Sequence, residues 1–247
     1  MRCTPRVLSL NTQYSAVSTH AGIARISRYA AYAHPPSLPS LQVKTLMGAL
    51  PETKETKPVF RPVEEYDDVE VPVTFDARSA WPKCKSIAHI RDQSTCGSCW
   101  AFGGVEAMSD RVCIASNETV TDELSAEDVL SCCGFTCGDG CNGGYPSSAW
   151  HFFMKHGLTT EAKYPYAFPP CEHHINASHY KPCGPSQPTP KCSKAAIKGP
   201  KYHGKSVYSV LPTSIEKEIM QNGPVEAAFT VYQGLKLVWS ALMVTLK

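Results

Sequence analysis

Apolar residues recur at helical spacing in the segment that follows Ser98. A helix beginning at Ser98 or Cys99 places on one face the apolar residues Ala101, Val105, Met108 and Val112. The charged residues of this segment fall on other faces, which predicts an amphipathic helix with one buried stripe. Gly103 and Gly104 each weaken the helix by about 1 kcal/mol relative to alanine. We therefore expect another segment to pack closely there, or the helix to depend on its surroundings.

Start and stop signals predict two more helices. Ser125 followed by Asp128 has the form of a capping box, in which a side-chain oxygen accepts a hydrogen bond from a first-turn amide. Pro146 in a first turn and Gly157 after a last turn bracket another helix. Three helices are therefore predicted between residues 98 and 157.

Three other segments carry weaker signals of regular structure. The apolar stretch 43–50 predicts a short helix. A helix over about 214–221 ends at Asn222-Gly223-Pro224, because glycine and proline stop it. Residues 225–232 then have the pattern of a strand.

The remaining stretches lack a periodic pattern. Residues 1–42 predict loop or disorder and are left unassigned. Residues 51–72 combine several prolines with an acidic patch, as a linker does. Pro, Gly, Cys and His dominate residues 164–201, which predicts a long loop stapled by disulfides.

Composition and charge exclude several classes of protein. With 247 residues, 43% of them hydrophobic and 19% charged, the chain can form one or two folded domains. A net charge of +2 without a basic stripe argues against a nucleic-acid partner. No stretch approaches the roughly 18 to 20 apolar residues of a membrane span.

The twelve cysteines indicate an oxidising compartment. Glycosylation acceptors at Asn117 and Asn176 agree with secretory passage. The opening residues lack the apolar core of about 7 to 15 residues that a signal peptide carries. We therefore expect a protein of the secretory route whose entry signal is not evident.

The segment from Gln93 to Trp100 places a thiol, that of Cys99, at the start of the first predicted helix. Unpaired amides and the helix dipole at this end favour a thiolate, so we expect a lowered pKa for a nucleophile. Gln93 lies one turn upstream. Its side-chain amide and the Cys99 N–H are therefore expected to stabilise the oxyanion of a tetrahedral intermediate.

Other uses of these cysteines remain open from the residues alone. Cys96 and Cys99 form a C-x-x-C pattern, which in a thioredoxin-like protein is a redox pair, although no βαβ pattern surrounds it. A purely structural pair is the blander alternative. The cysteine cluster between Cys132 and Cys141 could instead bind zinc.

The motifs resemble one known family. Cys96-Gly97-Ser98-Cys99-Trp100 resembles the signature of papain-family cysteine peptidases. Residues 71–78, 125–128, 137–146 and 222–226 are similar to the cathepsin B-like subfamily. Pro170-Cys171-Glu172-His173-His174 resembles the occluding loop of that subfamily. In such a loop, the resemblance implies that His173 and His174 receive the C-terminal carboxylate of the substrate, which adds peptidyl-dipeptidase to endopeptidase activity.

The resemblance also implies a fold, a site and partners. The fold is α+β, with the papain-like two-lobe architecture, of which the helical lobe is present and the β-rich lobe incomplete. Cys99 is the nucleophile and Gln93 the oxyanion donor. The substrate is expected to contact Gly97, Ser98, Trp100, Gly143, Gly144, His173 and His174. No cofactor or metal is implied, and a monomer is expected to act on peptide and protein substrates and to bind cysteine-peptidase inhibitors.

The resemblance further implies five disulfides. The expected pairs are Cys84–Cys113, Cys96–Cys141, Cys132–Cys192, Cys133–Cys137 and Cys171–Cys183. Excluding Cys3, only Cys99 is then left over, as a secreted enzyme with a cysteine nucleophile requires.

The same resemblance divides the chain into segments. Residues 43–70 are expected to be a remnant of a propeptide and its linker, and residues 71–232 the incomplete peptidase domain. Residues 233–247 are left as a divergent tail.

The catalytic histidine and asparagine of the family have no counterpart at the expected distance. They should follow the cysteine by about 130 to 150 residues. From Phe229 to Lys247 the sequence contains neither residue type. We therefore expect a truncated or frameshifted cathepsin B-like peptidase, inactive as written. The alternative is a non-catalytic homologue that binds peptides or inhibitors.

Overall fold

A computed structural model describes residues 46–66, 68, 70–172, 180–231 and 239–246. Its α-helices are α1 (Ala77–Ala80), α2 (Cys99–Ala115), α3 (Ala126–Cys132), α4 (Pro146–His156) and α5 (Ile215–Asn222). Short 3-10 helices are found at Val63–Tyr66, Lys85–Ala88, Gly134–Thr136, Gly140–Asn142 and Pro212–Ser214. Its strands are β1 (Val225–Val231) and β2 (Trp239–Leu246). All four helices predicted from residue 98 onward are therefore confirmed, as is the strand.

The core surrounds α2. This helix contacts α3, α4, β1 and β2, so neighbours cover most of its circumference. Its apolar residues Ala101, Val105 and Met108 are buried, but so are Glu106 and Asp110. The prediction of one buried stripe is therefore wrong. Other elements enclose α2 on several sides, and the periodicity of the helix itself cannot predict such contacts.

Local signals set the ends of two helices as predicted. Ser125 Oγ accepts a hydrogen bond from the Asp128 amide at 3.0 Å and caps α3. Asp128 does not complete the box, because its Oδ2 accepts from the Thr159 amide and from Lys201 Nζ, each at 3.0 Å. Gly157 ends α4 with a φ of 68°, a conformation that favours glycine.

The described residues contain one sheet, in which β1 pairs with β2 in antiparallel register. Val225 lies opposite Leu246, and the register shifts between Phe229 and Val231. β2 comes from residues 233–247, to which the sequence assigned no element. One helix-rich body and a two-stranded sheet agree with the predicted α+β class.

Five disulfides cross-link the described residues. They are Cys84–Cys113, Cys96–Cys141, Cys132–Cys192, Cys133–Cys137 and Cys171–Cys183, the pairs that the resemblance implied. Because Cys96 bonds to Cys141, the alternatives that join Cys96 to Cys99 are wrong. The zinc alternative is also wrong, since every cysteine of that cluster is oxidised in a disulfide.

Residues 46–66, named the strap here, lie across the described residues from 70 onward, which are named the body. The predicted helix over 43–50 is helical only at Leu46 within its described part, and residues 47–50 are not helical. The reason is tertiary, because the Leu50 amide donates to the Gly144 carbonyl at 2.9 Å. At the other end of the strap, Tyr66 is 1% exposed. None of the described helices is both long and apolar enough to cross a membrane.

Candidate active site

The nucleophile candidate Cys99 is the first residue of α2. Its loop is held from below by the Cys96–Cys141 disulfide and by a 3.0 Å hydrogen bond from the Gly97 amide to the Cys141 carbonyl. Among the described cysteines, Cys99 is the one that keeps its thiol, and its side chain is fully buried. The structure thus places an intact sulfur at a helix N-terminus.

Gln93 lies in the same loop, beneath the strap. Its Nε2 donates to the carbonyl oxygens of Leu46 and Cys96, both at 2.9 Å. The side-chain amide therefore already binds a backbone carbonyl, that of Leu46, two residues before the glycine whose amide donates to Cys99 Sγ. This is the kind of group that an oxyanion donor has to bind.

Tyr166 braces this loop, a role that the sequence did not predict. Its hydroxyl donates to the Gln93 carbonyl at 2.9 Å and lies 2.9 Å from Ser98 Oγ. Its ring packs edge-on against Phe102, with centroids 4.7 Å apart. Tyr166 is within a loop without periodicity, and so no pattern in the sequence pointed to it.

The strap covers the sulfur through a glycine. The Gly48 amide donates to Cys99 Sγ at 3.2 Å. A Cβ at Gly48 would lie 1.7 Å from the Gly97 carbonyl oxygen, so any larger residue would push the strap away. The strap backbone therefore occupies the space directly above the nucleophile candidate.

Two glycines form the wall that holds the strap. The Gly144 amide donates to the Gly48 carbonyl at 2.8 Å, and the Gly144 carbonyl accepts from Leu50. A Cβ at Gly144 would lie 2.5 Å from ring atoms of Trp100, and one at Gly143 would lie 2.8 Å from the Gly48 carbonyl. The missing side chains let a peptide backbone approach and bond.

The base of the long loop lies beside the nucleophile loop. Cys171 and Cys183 are bonded, and the Glu172 amide donates to the Lys181 carbonyl at 2.8 Å. Ser94, next to Gln93, places its Oγ 3.7 Å from Cys171 Sγ. His173 and His174, predicted to contact the substrate, lie outside the described residues.

These groups together suit acyl transfer. A thiol at a helix N-terminus, a nearby side-chain amide donor and a glycine wall that binds extended backbone are the parts that attack on a peptide carbonyl uses. In the part of the chain that the structure describes, no group of three or more His, Cys, Asp or Glu residues is arranged to hold a metal ion.

Comparison with known proteins decides the family. Residues 71–242 match the model of the papain family cysteine protease. The chain belongs to this family. The match extends ten residues past Tyr232, where the motif resemblance ended, and includes the first part of β2. Among solved structures, procathepsin B S9 of Trypanosoma congolense superposes with a TM-score of 0.67 at 31% identity, covering 83% of this chain and 71% of that one.

Curated papain-family relatives narrow the subfamily. Cathepsin B-like cysteine proteinase 6 of Caenorhabditis elegans is 50% identical over 184 residues, which are 67% of this chain and 48% of that protein. A cathepsin B-like cysteine proteinase of Schistosoma japonicum is 46% identical over 209 residues, 77% of this chain and 60% of that protein. The chain thus spans about half to three-fifths of these relatives. The predicted cathepsin B-like assignment and papain-like fold are confirmed.

Proposed function

We propose that this chain represents a cathepsin B-like cysteine peptidase in which Cys99 attacks the peptide carbonyl and Gln93 stabilises the oxyanion. The observation that supports this most directly is the group around Cys99 Sγ. The thiol begins α2, a backbone amide donates to it at 3.2 Å, and Gln93 Nε2 binds a neighbouring carbonyl at 2.9 Å.

The proposed reaction begins with the Cys99 thiolate. Its electron pair forms a bond to the carbonyl carbon, and the carbonyl electrons move onto oxygen, where Gln93 Nε2 and the Cys99 N–H donate hydrogen bonds. The carbon–nitrogen bond then breaks as the leaving amine takes a proton. In this family an imidazole oriented by an amide supplies that proton, and water later hydrolyses the thioester. Residues 229–247 contain neither His nor Asn. We therefore propose that the chain as written is inactive.

Peptidyl-dipeptidase capacity is the finer part of the proposal. The loop between Cys171 and Cys183 is closed by a disulfide next to Ser94, which supports a loop that limits one end of the cleft. His173 and His174, which belong to this loop, would bind the C-terminal carboxylate of the substrate. Since imidazolium pairs with carboxylate, this mode is expected to favour mildly acidic pH.

The strap is proposed to be the end of a propeptide, within the predicted segment 43–70. Its backbone bonds to Gly144 and to Cys99 Sγ, so a substrate cannot enter until the strap leaves. Residues 70–74, which follow the strap, are exposed and are available for cleavage.

A non-catalytic homologue that binds peptides or inhibitors is the second candidate. The glycine wall favours it, because Gly144 bonds a peptide backbone without help from a histidine. Under either proposal the partners are peptides, proteins or cysteine-peptidase inhibitors, bound to a monomer in a lysosomal or extracellular setting.

Labelling of Cys99 tests the proposal. The 247-residue chain and its Gly48→Ala variant would be treated with an epoxysuccinyl peptide and analysed by intact and peptide mass spectrometry. We expect labelling at Cys99 to be at least about tenfold faster in Gly48→Ala, because the added Cβ displaces the strap. Gly184→Ala is the matched control, since nothing lies within 4 Å of its Cβ.

Three outcomes separate the proposals. No labelling of Cys99 in either variant would contradict the nucleophile assignment. Turnover of a dipeptide-leaving substrate by the chain would contradict its proposed inactivity. Saturable binding of that substrate, with neither labelling nor turnover, would favour the second candidate.

A further inference from the structure

Beyond the cleft, the strap makes a second contact with the body. Residues 57–66 run beside the segment that leads into α5. The Arg61 amide donates to the Ser209 carbonyl at 2.9 Å, and the Ser209 amide donates to the Val59 carbonyl at 2.8 Å. Phe60 bridges Ser209 in parallel fashion. Residues 58–62 of the strap thus bind in extended form along the backbone at Ser209, a common mode of peptide recognition, and a short 3-10 helix, Val63–Tyr66, follows them.

A buried carboxylate, Glu218, lies at the centre of this contact. The body itself supplies three donors to it: Arg111 Nη2 at 2.7 Å, Tyr208 OH at 2.7 Å and Asn222 Nδ2 at 3.0 Å. Burial raises the pKa of this carboxyl, but the charge of Arg111 and the hydrogen bonds from Tyr66, Tyr208 and Arg111 together bring it below the usual value. The body therefore supplies most of the donors to a charged acceptor, and the strap adds the bond from Tyr66.

The strap adds two groups that fit this acceptor. Tyr66 OH donates to Glu218 Oε2 at 2.6 Å, and Arg61 Nη1 lies 3.5 Å from the same oxygen. The Arg61 guanidinium carbon lies 4.9 Å from the centroid of the Tyr208 ring and 5.4 Å from that of Tyr66. Tyr66 and Arg61, five positions apart in the sequence, thus both approach the Glu218 carboxylate. The Arg61 guanidinium also lies over the Tyr208 ring.

We propose that Arg111, Tyr208, Ser209 and Glu218 form a peptide-binding exosite, separate from the catalytic cleft. Its ligand is a segment that carries arginine and tyrosine five positions apart, with the arginine in an extended stretch and the tyrosine at the end of a 3-10 helix, here residues 57–66. The exosite binds this segment by itself and does not need the contacts that strap residues 46–50 make with the cleft. This inference rests on the proposed function in one respect, which is that the strap can be removed from the body.

The exosite matters once the strap is cut. Residues 70–74 are exposed beyond the anchored Tyr66, so cleavage there leaves the strap without a covalent link. A segment bound at the exosite keeps the cleft-binding residues of the same peptide at high effective concentration. Release of the cut strap then requires both contacts to open.

A full-length chain whose own strap is held more weakly provides the test. The variant Gly48→Ala/Arg61→Ala/Tyr66→Ala removes two strap side chains from the exosite and also breaks the cleft contact, so that an added peptide can displace the strap backbone from Ser209. A fluorescent peptide with the sequence of residues 57–66 would be titrated against it by fluorescence polarisation. We expect saturable binding, and binding at least about tenfold weaker for a peptide with alanine and phenylalanine in place of its arginine and tyrosine, since two interactions with a charged group are lost.

Body variants check that the carboxylate recognises the peptide. Adding Glu218→Gln to this triple variant should weaken peptide binding by a similar factor, whereas adding Glu216→Gln, at an exposed position of the same helix, should not. Equal affinity of the two peptides, or no saturable binding, would overturn the proposal. Because the altered peptide leaves the protein untouched, misfolding of Glu218→Gln cannot hide that result.

Hydrogen exchange in Gly48→Ala separates the exosite from the cleft. With the cleft contact broken, the amides of Arg61 and Ser209 should keep the protection that they have in the unsubstituted chain. If both amides lose protection when the cleft contact is broken, residues 57–66 are held in place only by the cleft contact. That result would refute the exosite. A failure of Cys99 labelling would count against the proposed enzyme chemistry alone.

Discussion

At the scale of single residues, Glu226 shows how the tertiary surroundings change a carboxyl group. Its Oε2 accepts from Trp150 Nε1 at 2.6 Å, while its buried Oε1 has no hydrogen-bond partner among the described residues. Burial raises its pKa to about 8, with a further contribution from Glu52, and the Trp150 bond offsets only part of this. Glu226 is therefore mainly protonated at neutral pH.

This raised pKa predicts how stability changes with pH. The ordinary value is 4.5 and the folded value about 8, so the folded chain binds more protons than the unfolded chain between them. The free energy of unfolding should fall as the pH rises through this window. Urea denaturation at several pH values should show the fall, and Glu226→Gln should reduce it.

Glu216→Gln is the control for this experiment. Its side chain is exposed, so the variant should keep the slope of the unsubstituted chain. An unchanged slope in Glu226→Gln would show that other groups govern the pH dependence.

At the scale of elements, the sequence predicted the ends of helices better than their surroundings. Ser125, Pro146 and Gly157 act through neighbouring backbone, and local spacing therefore revealed them. The burial of Glu106 and Asp110 on α2 depends on elements far away in the sequence. The same holds for the strap, where Leu50 pairs with the wall instead of continuing a helix.

The cap of α3 carries a prediction at this scale. Ser125 Oγ accepts from the Asp128 amide and donates to the Tyr164 carbonyl. Ser125→Ala should therefore lower the free energy of unfolding by about 1 to 2 kcal/mol. Chemical denaturation would measure this. Ser186→Ala, at an exposed position, should stay within about 0.5 kcal/mol of the unsubstituted chain, and equal losses in the two variants would contradict the capping role.

At the scale of the whole molecule, disulfides tie distant segments to the helical body. Cys132–Cys192 spans 60 residues and joins α3 to the long loop, whereas Cys133–Cys137 spans only 4. Closing a longer loop removes more entropy from the unfolded chain. The two bridges begin at adjacent residues, so they form a matched pair.

Removing each bridge should reveal this difference. Replacing both Cys132 and Cys192 by serine should lower the free energy of unfolding by about 4 kcal/mol, and the same change at Cys133 and Cys137 by about 2 kcal/mol. Denaturation under non-reducing conditions would measure both. A larger loss for the short bridge would show that native contacts outweigh chain entropy here.

The sequence by itself determined the family and the ends of several helices. The loop before Cys99, the glycine pair and the other motifs each consist of neighbouring residues, so their signals can be recognised without the fold. Only the tertiary structure decided what covers these motifs. Gly48 meets Cys99, and Tyr66 meets Glu218 across 152 residues of sequence. Such pairings depend on how the chain closes on itself, and no periodicity or short motif encodes them.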